Sequence, residues 1–343
     1  MSRKVVEIAK QTYRSVGLPL LGMLGGFDLL RHIRRHSALV LMYHGVIDTG
    51  GDRRLLTNVN QVDTESFAWQ MRFLKGHYEV VELSKIVEGI RRHEPVSGLA
   101  AITFDDGYLS VFENAAPILR EYDLPATVFL IAGLVGEEEM TWYDKVEACL
   151  LNTSLSEITI GEVHYHLDGD RETAIRALKY RLRDLELETR DRLVAELVGK
   201  AGEFEPEATE PYRLMGWLEI ERLRMQGIDF GVHSHSHPHL TKVPPQNLHL
   251  EIDAPAKLIS DRLDVPIETL LFCYPDGDFD DRVRDRVMAT GMLGAMAVKH
   301  DLTPPNSDPF ALPRVSVSRD QTRAMFMAAI VGLTTWLKRR IPI

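Results

Sequence analysis

The 343-residue chain is poor in cysteine, with only Cys149 and Cys273. Two thiols so far apart in sequence exclude a disulfide-stapled framework and fit a reducing compartment. Basic charge is also short. Forty Lys and Arg face fifty Asp and Glu, a formal net charge of -10. That balance argues against nucleic acid as a general partner, because phosphate binding needs a basic face. No Gly-x-Ser-x-Gly elbow or phosphate-cradling P-loop occurs, so acyl-serine and nucleotide chemistry have no support. Long hydrophobic runs are missing too. The stretch Val16 to Leu30 carries Pro19, several glycines and Asp28. No small-x-small cleavage site follows it, and it is too short to span a bilayer as a regular helix. It reads as a retained segment lying on a membrane.

The remaining composition, 45% apolar and 26% charged, is that of a soluble globular protein of one large or two ordinary domains. Positive charge gathers at the ends. Residues 1–36 hold seven Lys or Arg against Glu7 and Asp28, and the tail closes Lys338-Arg339-Arg340. The N-terminal stretch places Val5, Ile8 and Tyr13 at helical spacing. The C-terminal stretch, Met325 to Leu337, is apolar and carries Trp336. Both ends are therefore expected to touch an anionic membrane surface, on its cytoplasmic side. A helix packed on the protein's own surface, or a dimer contact, is the alternative.

Between the ends, short continuous apolar runs alternate with helical patterns, which predicts a parallel sheet or barrel. Ala38 to Tyr43 reads as a buried strand ending at His44-Gly45, and Asp48 to Val62 as a loop over the mouth beyond it. Thr64 is expected to cap the next helix. Leu99 to Ile102 leads into Thr103-Phe104-Asp105-Asp106-Gly107-Tyr108, a strand that ends in a turn. Two adjacent carboxylates at a buried strand's end are costly unless each has a cation or proton to handle. Pro125 to Ile131 is the following strand, with Trp142-Tyr143-Asp144 beyond it as cleft candidates. From about residue 143 to 211 the rhythm breaks into a hairpin and a highly charged helical run. That region is expected to be an insertion whose charges form a solvated face. Ile228 to Val232 then delivers His233, His235, His237 and His239. Carboxylate oxygen with neutral imidazoles is the ligand set of a catalytic divalent metal. Spacing alone permits either His233 with His237 or His235 with His239.

Phe104-Asp105-Asp106-Gly107 together with His233-Ser234-x-x-His237-Pro238 resembles the polysaccharide deacetylase family, also called NodB-homology or carbohydrate esterase family 4. The likeness runs through ordered landmarks from about Leu39 to Val317. It implies a distorted (β/α)7-type barrel over residues 37–320, flanked by an N-terminal segment (1–36) and an amphipathic tail (321–343). It implies Asp105 as general base, and Asp106, His233 and His237 as ligands of one divalent ion. Zinc is the first expectation, with nickel, cobalt or manganese as substitutes. Tyr108, Tyr274, Pro275 and Asp276 would lie at the substrate or oxyanion side.

Two departures stand out. The family's third motif reads Phe-Arg-x-Pro-Tyr-Gly, whereas this chain has Phe272-Cys273-Tyr274-Pro275-Asp276-Gly277 without the arginine. Arg314 is the candidate to restore that charge beside Asp105. The family's late Leu-x-x-His motif is absent, which leaves His44, then His300, as candidates for the general acid. The implied reaction is removal of an N-acetyl group from an amino sugar of a polysaccharide or lipid-linked glycan. Formyl or O-acetyl removal on the same site, or a non-catalytic glycan-binding protein, are the rival expectations.

Overall fold

The computed structural model describes residues 11–51, 56, 58–202 and 209–340, the side chains of 338 and 339 excepted. The expected basic helix from Ser2 thus falls outside the described residues as far as Lys10. Eight parallel strands form the main sheet: β1 (Leu39–Tyr43), β2 (Glu79–Val80), β3 (Leu99–Phe104), β4 (Ala126–Leu130), β5 (Ile228–Val232), β6 (Leu271–Cys273), β7 (Gly294–Met296) and β8 (Val315–Ser316). Seven follow one path, β7-β6-β5-β4-β3-β1-β8, while β2 lies beside the start of β3. The architecture is α/β, a parallel sheet curled as in the (β/α)7-type barrel that the family resemblance implies.

Central strands β1, β3 and β4 are buried along their whole length. Parallel strands covered on both faces read as continuous apolar runs, and these do. The two ends of the path meet through the segment before β8. Leu312 donates to the Ala295 carbonyl at 3.0 Å and accepts from Ala297 at 2.9 Å, and Val315 then pairs with Leu41. Pro313 stands between these pairings, where no N–H is available to continue the ladder. The closing segment changes partner here, from β7 to β1, and Arg314 sits at the change.

Register sets which residues emerge together. Tyr43 pairs with Phe104, Leu130 with Val232, and Val232 with Phe272. The residues just after these strand ends share one rim, where an α/β barrel keeps its chemistry. The first long helix, Thr64–His77, is capped by Asp63, whose carboxylate accepts from Ser66 N at 2.8 Å. Thr64 was the expected cap; Asp63, one position earlier, has the extended backbone that a cap needs, while Thr64 is already helical.

The irregular region builds its own small core. Helix Trp142–Asn152, an antiparallel hairpin (Glu157–Ile160 with Val163–His166) and helices Arg171–Arg183 and Leu187–Ala201 enclose Val146, Ile160, Leu178 and Leu197. Both terminal segments join the main core instead. Leu18 and Phe27 share it with Phe326 and Val331.

Gly231 marks a tight crossing in the sheet. A Cβ there would lie 2.6 Å from the Phe129 ring and 2.7 Å from the Leu271 carbonyl. Gly231→Ala is expected to cost about 1–3 kcal/mol of stability through overpacking. Urea unfolding measures it, and an unchanged midpoint at unchanged slope would refute the crossing as a constraint.

Candidate active site

Asp105 leaves β3 with its N–H bonded to the Tyr43 carbonyl at 2.9 Å. Its carboxylate meets Arg314 in a two-pronged pair, Nη1 to Oδ1 and Nη2 to Oδ2, each 2.7 Å. The guanidinium is fully buried. It also donates to Thr103 Oγ1 at 3.0 Å, and Thr103 donates onward to the Leu41 carbonyl at 2.7 Å. Cys273 Sγ lies 3.0 Å from Nη2. Burial alone would raise the Asp105 pKa, but Arg314, followed by His233 and His44, holds it well below the usual carboxylate range. The carboxylate is thus ionised and fixed in orientation.

Asp106 faces the other way. Its Oδ1 lies 3.4 Å from His233 Nε2 and 3.7 Å from His237 Nε2. That oxygen is buried and has no hydrogen-bond partner among the described residues. An orphaned carboxylate oxygen opposite two ring nitrogens is the arrangement a cation would satisfy. A tetrahedral centre with bonds of about 2.0–2.1 Å spaces its ligand atoms about 3.3–3.4 Å apart, close to these separations. The three residues therefore fit a divalent metal with one carboxylate and two imidazole ligands.

The histidine loop is tightly constrained. Ser234 and His237 adopt positive φ, as do Asp106 and Asp276, a conformation that non-glycine residues rarely take without compensation. His233 Nδ1 contacts the Cys273 carbonyl at 2.8 Å, which aims Nε2 at Asp106. Ser234 Oγ accepts from His237 N at 3.0 Å, and Trp142 donates to the His237 carbonyl at 3.1 Å. Burial lowers the His237 pKa to about 4, so the ring is held neutral, as a ligating imidazole must be.

The polysaccharide deacetylase family model matches residues 93–295, which includes both the aspartate turn and the histidine loop. The chain belongs to that family. Its curated relatives include the poly-beta-1,6-N-acetyl-D-glucosamine N-deacetylases of Staphylococcus aureus, 30% identical over 123 residues, and of Escherichia coli, 32% identical over 93. The first alignment covers 33% of this chain and 42% of the relative; the second, 26% and 13%. Among solved structures, a Streptococcus pyogenes deacetylase bound to acetate superposes with a TM-score of 0.59 at 14% identity, covering 86% of this chain and 98% of that one. The IcaB protein of Ammonifex degensii gives 0.54 at 17% identity, covering 87% and 97%. At such identities these two show the deacetylase fold alone.

Of the residues singled out from sequence, Asp105, Asp106, His233, His237 and Arg314 come together, and His44 stands with them. It lies close enough to act electrostatically on both aspartates, and its Nδ1 is buried without a partner among the described residues. His300 is exposed instead, its carbonyl accepting from Thr335. The open choice of histidine pair falls to 233 and 237. His235 is exposed, and His239 lies 3.1 Å from Asp276 and 3.6 Å from Asp184. Burial would raise the Asp276 pKa, but His239 leads its neighbours in lowering it to about 2.

Two tyrosines expected at the substrate side have their hydroxyls committed elsewhere. Tyr108 donates to Asp144 at 2.7 Å, and Tyr274, fully buried and stacked on Phe279, donates to the Phe310 carbonyl at 3.0 Å. Pro275 is buried, and Asp276 stays at the rim with His239.

Several site residues were not found from sequence. Glu251 accepts from His235 N at 3.0 Å, Ser236 N at 2.9 Å and Ser236 Oγ at 2.7 Å, so one buried carboxylate ties down the loop between the two candidate ligands His233 and His237. Arg190, from the expected solvated face of the insertion, is buried and reaches the His237 carbonyl at 3.4 Å. Tyr143, one of the cleft candidates named from sequence, packs edge-on against the His237 ring at 4.9 Å. A Glu251→Ala chain should bind zinc about tenfold more weakly, at the lower end of what outer-shell losses cost. Competition titration against a chromophoric chelator measures this; equal affinity would show that the loop orders itself.

Asp144 is fully buried, and both Tyr108 and Thr141 donate to its Oδ2. Burial raises its pKa from 3.8 to about 7. The folded state therefore favours the protonated acid, and that stability is lost as pH climbs from about 4 to about 7. Asp144→Asn keeps the acceptor without the charge. It should match the wild type near pH 4 and exceed it in urea midpoint at pH 8. Parallel curves across that range would rule out the titration.

Proposed function

We propose that the protein is a metal-dependent hydrolase that removes the N-acetyl group from an amino sugar of a polysaccharide or a lipid-linked glycan precursor. The observation that carries this is a buried carboxylate, Asp105, locked by Arg314 beside a three-residue metal-binding set. The family supplies the acyl-sugar chemistry, and the N-deacetylase activity named for the curated relatives supports nitrogen over oxygen as the atom released.

Asp106, His233 and His237 would hold one divalent ion, most simply zinc. When bound, such an ion polarises an acyl oxygen and makes a neighbouring water more acidic. Asp105 takes a proton from the attacking water. It can do so because both carboxylate oxygens are held by Arg314 and the group stays ionised. Positioned base catalysis of this kind contributes roughly 10²–10⁴-fold. As the C–N bond breaks, acetate leaves and the amine nitrogen needs a proton. We assign that proton to His44, on the same rim as Asp105.

The test is acetate release from N-acetylated glucosamine oligomers and glycolipids by zinc-loaded protein. Asp105→Asn should lose at least about 100-fold in rate while retaining its zinc, and His237→Ala should lose zinc together with rate. Release of formate, or of acetate from O-acetylated sugars alone, would replace the acyl group named here. No release from any acceptor, with zinc bound in full, would move the protein to a glycan-binding role.

A further inference from the structure

No single helix among the described residues is long and apolar enough to cross a membrane. Instead, Tyr13–Met23 and Gly26–Ile33 form a pair bent by 78°. Met23 and Leu24 occupy the corner, 84% and 76% exposed, and Val16, Leu20, Leu29 and Ile33 are each more than half exposed. Gly25 takes φ +71°, and a Cβ built there would meet nothing within 4 Å, so the corner projects into open space. The opposite side of the pair is anchored, because Leu18 and Phe27 are buried with Phe326 and Val331 of the C-terminal segment.

Charge identifies the occupant. Residues 1–36 carry seven Lys or Arg against two carboxylates, although the whole chain is at -10. Asp28 is itself bonded to Arg31 at 3.0 Å. The second basic end adjoins the first: Arg34 Nη1 would lie 2.8 Å from a Cβ on Gly332, just before helix Leu333–Arg340. On that helix Trp336 is 39% exposed, with the Arg340 guanidinium over its ring at 4.6 Å. Apolar tips among cations, on an otherwise acidic protein, match an anionic bilayer surface and repel the protein's other faces from it.

We infer that the bent helix pair, with the adjoining C-terminal helix, is an in-plane docking surface for anionic phospholipid. Met23 and Leu24 enter the headgroup–acyl boundary without spanning it. This inference does not depend on the deacetylation reading. The full chain is floated with vesicles of phosphatidylcholine plus phosphatidylglycerol, and with phosphatidylcholine alone. Co-flotation is expected with the anionic vesicles, weaker in high salt, where the charges are screened. Met23→Glu/Leu24→Glu should cut the bound fraction at least tenfold with no change in thermal midpoint or in turnover of a soluble short oligosaccharide. Absent flotation of the wild type, or equal flotation of the double variant, overturns the inference. So does a concentration-dependent dimer, seen by light scattering, that the double variant abolishes, because the face would then belong to a second copy.

Discussion

The structure depends on one buried ion pair. Arg314 and Asp105 sit 209 positions apart, joined by two 2.7 Å hydrogen bonds where neither side chain is appreciably exposed. Burying two charges is expensive, and the expense is recovered only if geometry and the remaining hydrogen bonds are complete. Here they are nearly so: Thr103 and Cys273 take further guanidinium donors, and Thr103 passes a bond to the Leu41 carbonyl. Removing either partner would leave an unpaired buried charge, a loss of about 3–5 kcal/mol in comparable cases. Arg314 sits in the segment that joins the two ends of the strand path, so the same segment closes the sheet and fixes the carboxylate.

A second constraint acts on the histidine loop. Asp106, Ser234, His237 and Asp276 all hold positive φ within one small region. Each such residue costs on the order of 1–3 kcal/mol and persists only where its surroundings over-determine it. Those surroundings come from three directions. Glu251 holds the loop's amides, Trp142 and Arg190 hold the His237 carbonyl, and the Cys273 carbonyl orients His233. Trp142 and Arg190 belong to the region that interrupts the barrel's rhythm. That region therefore supports the site, and its charges are not all a solvated face.

The barrel and the centre of the site could be read from sequence because both follow from local signals. Buried parallel strands print as continuous apolar runs, and chemistry gathers where such runs end, at Asp105-Asp106 and at His233 to His237. The supporting residues left no such mark. Glu251 lies in a short helix that reads like any amphipathic segment, and Arg190 is one charge among many on a charged helix. Tyr108 and Tyr274 show a different limit. Next to motif residues they look like cleft aromatics, yet their hydroxyls are spent on Asp144 and on the Phe310 carbonyl. Which partner a buried tyrosine hydroxyl takes is decided by a helix and a turn elsewhere in the chain, so local pattern cannot show it.

Cys273 explains how the missing arginine of the third motif can be tolerated. An arginine there would approach Asp105 from the end of β6. A cysteine is small, and its Sγ lies 3.5 Å from Asp105 Oδ2 and 3.0 Å from Arg314 Nη2. The volume and the charge that one residue would supply are thus divided between two. The thiol fills the near space, and the guanidinium enters from the closing segment. Burial raises the Cys273 thiol pKa, which keeps that neighbour neutral, so it does not compete with Asp105 for the cation. What the carboxylate requires is a planar cation presenting two parallel donors at a set place. The position in the chain from which that cation comes is free to change, provided that the residue it displaces makes room.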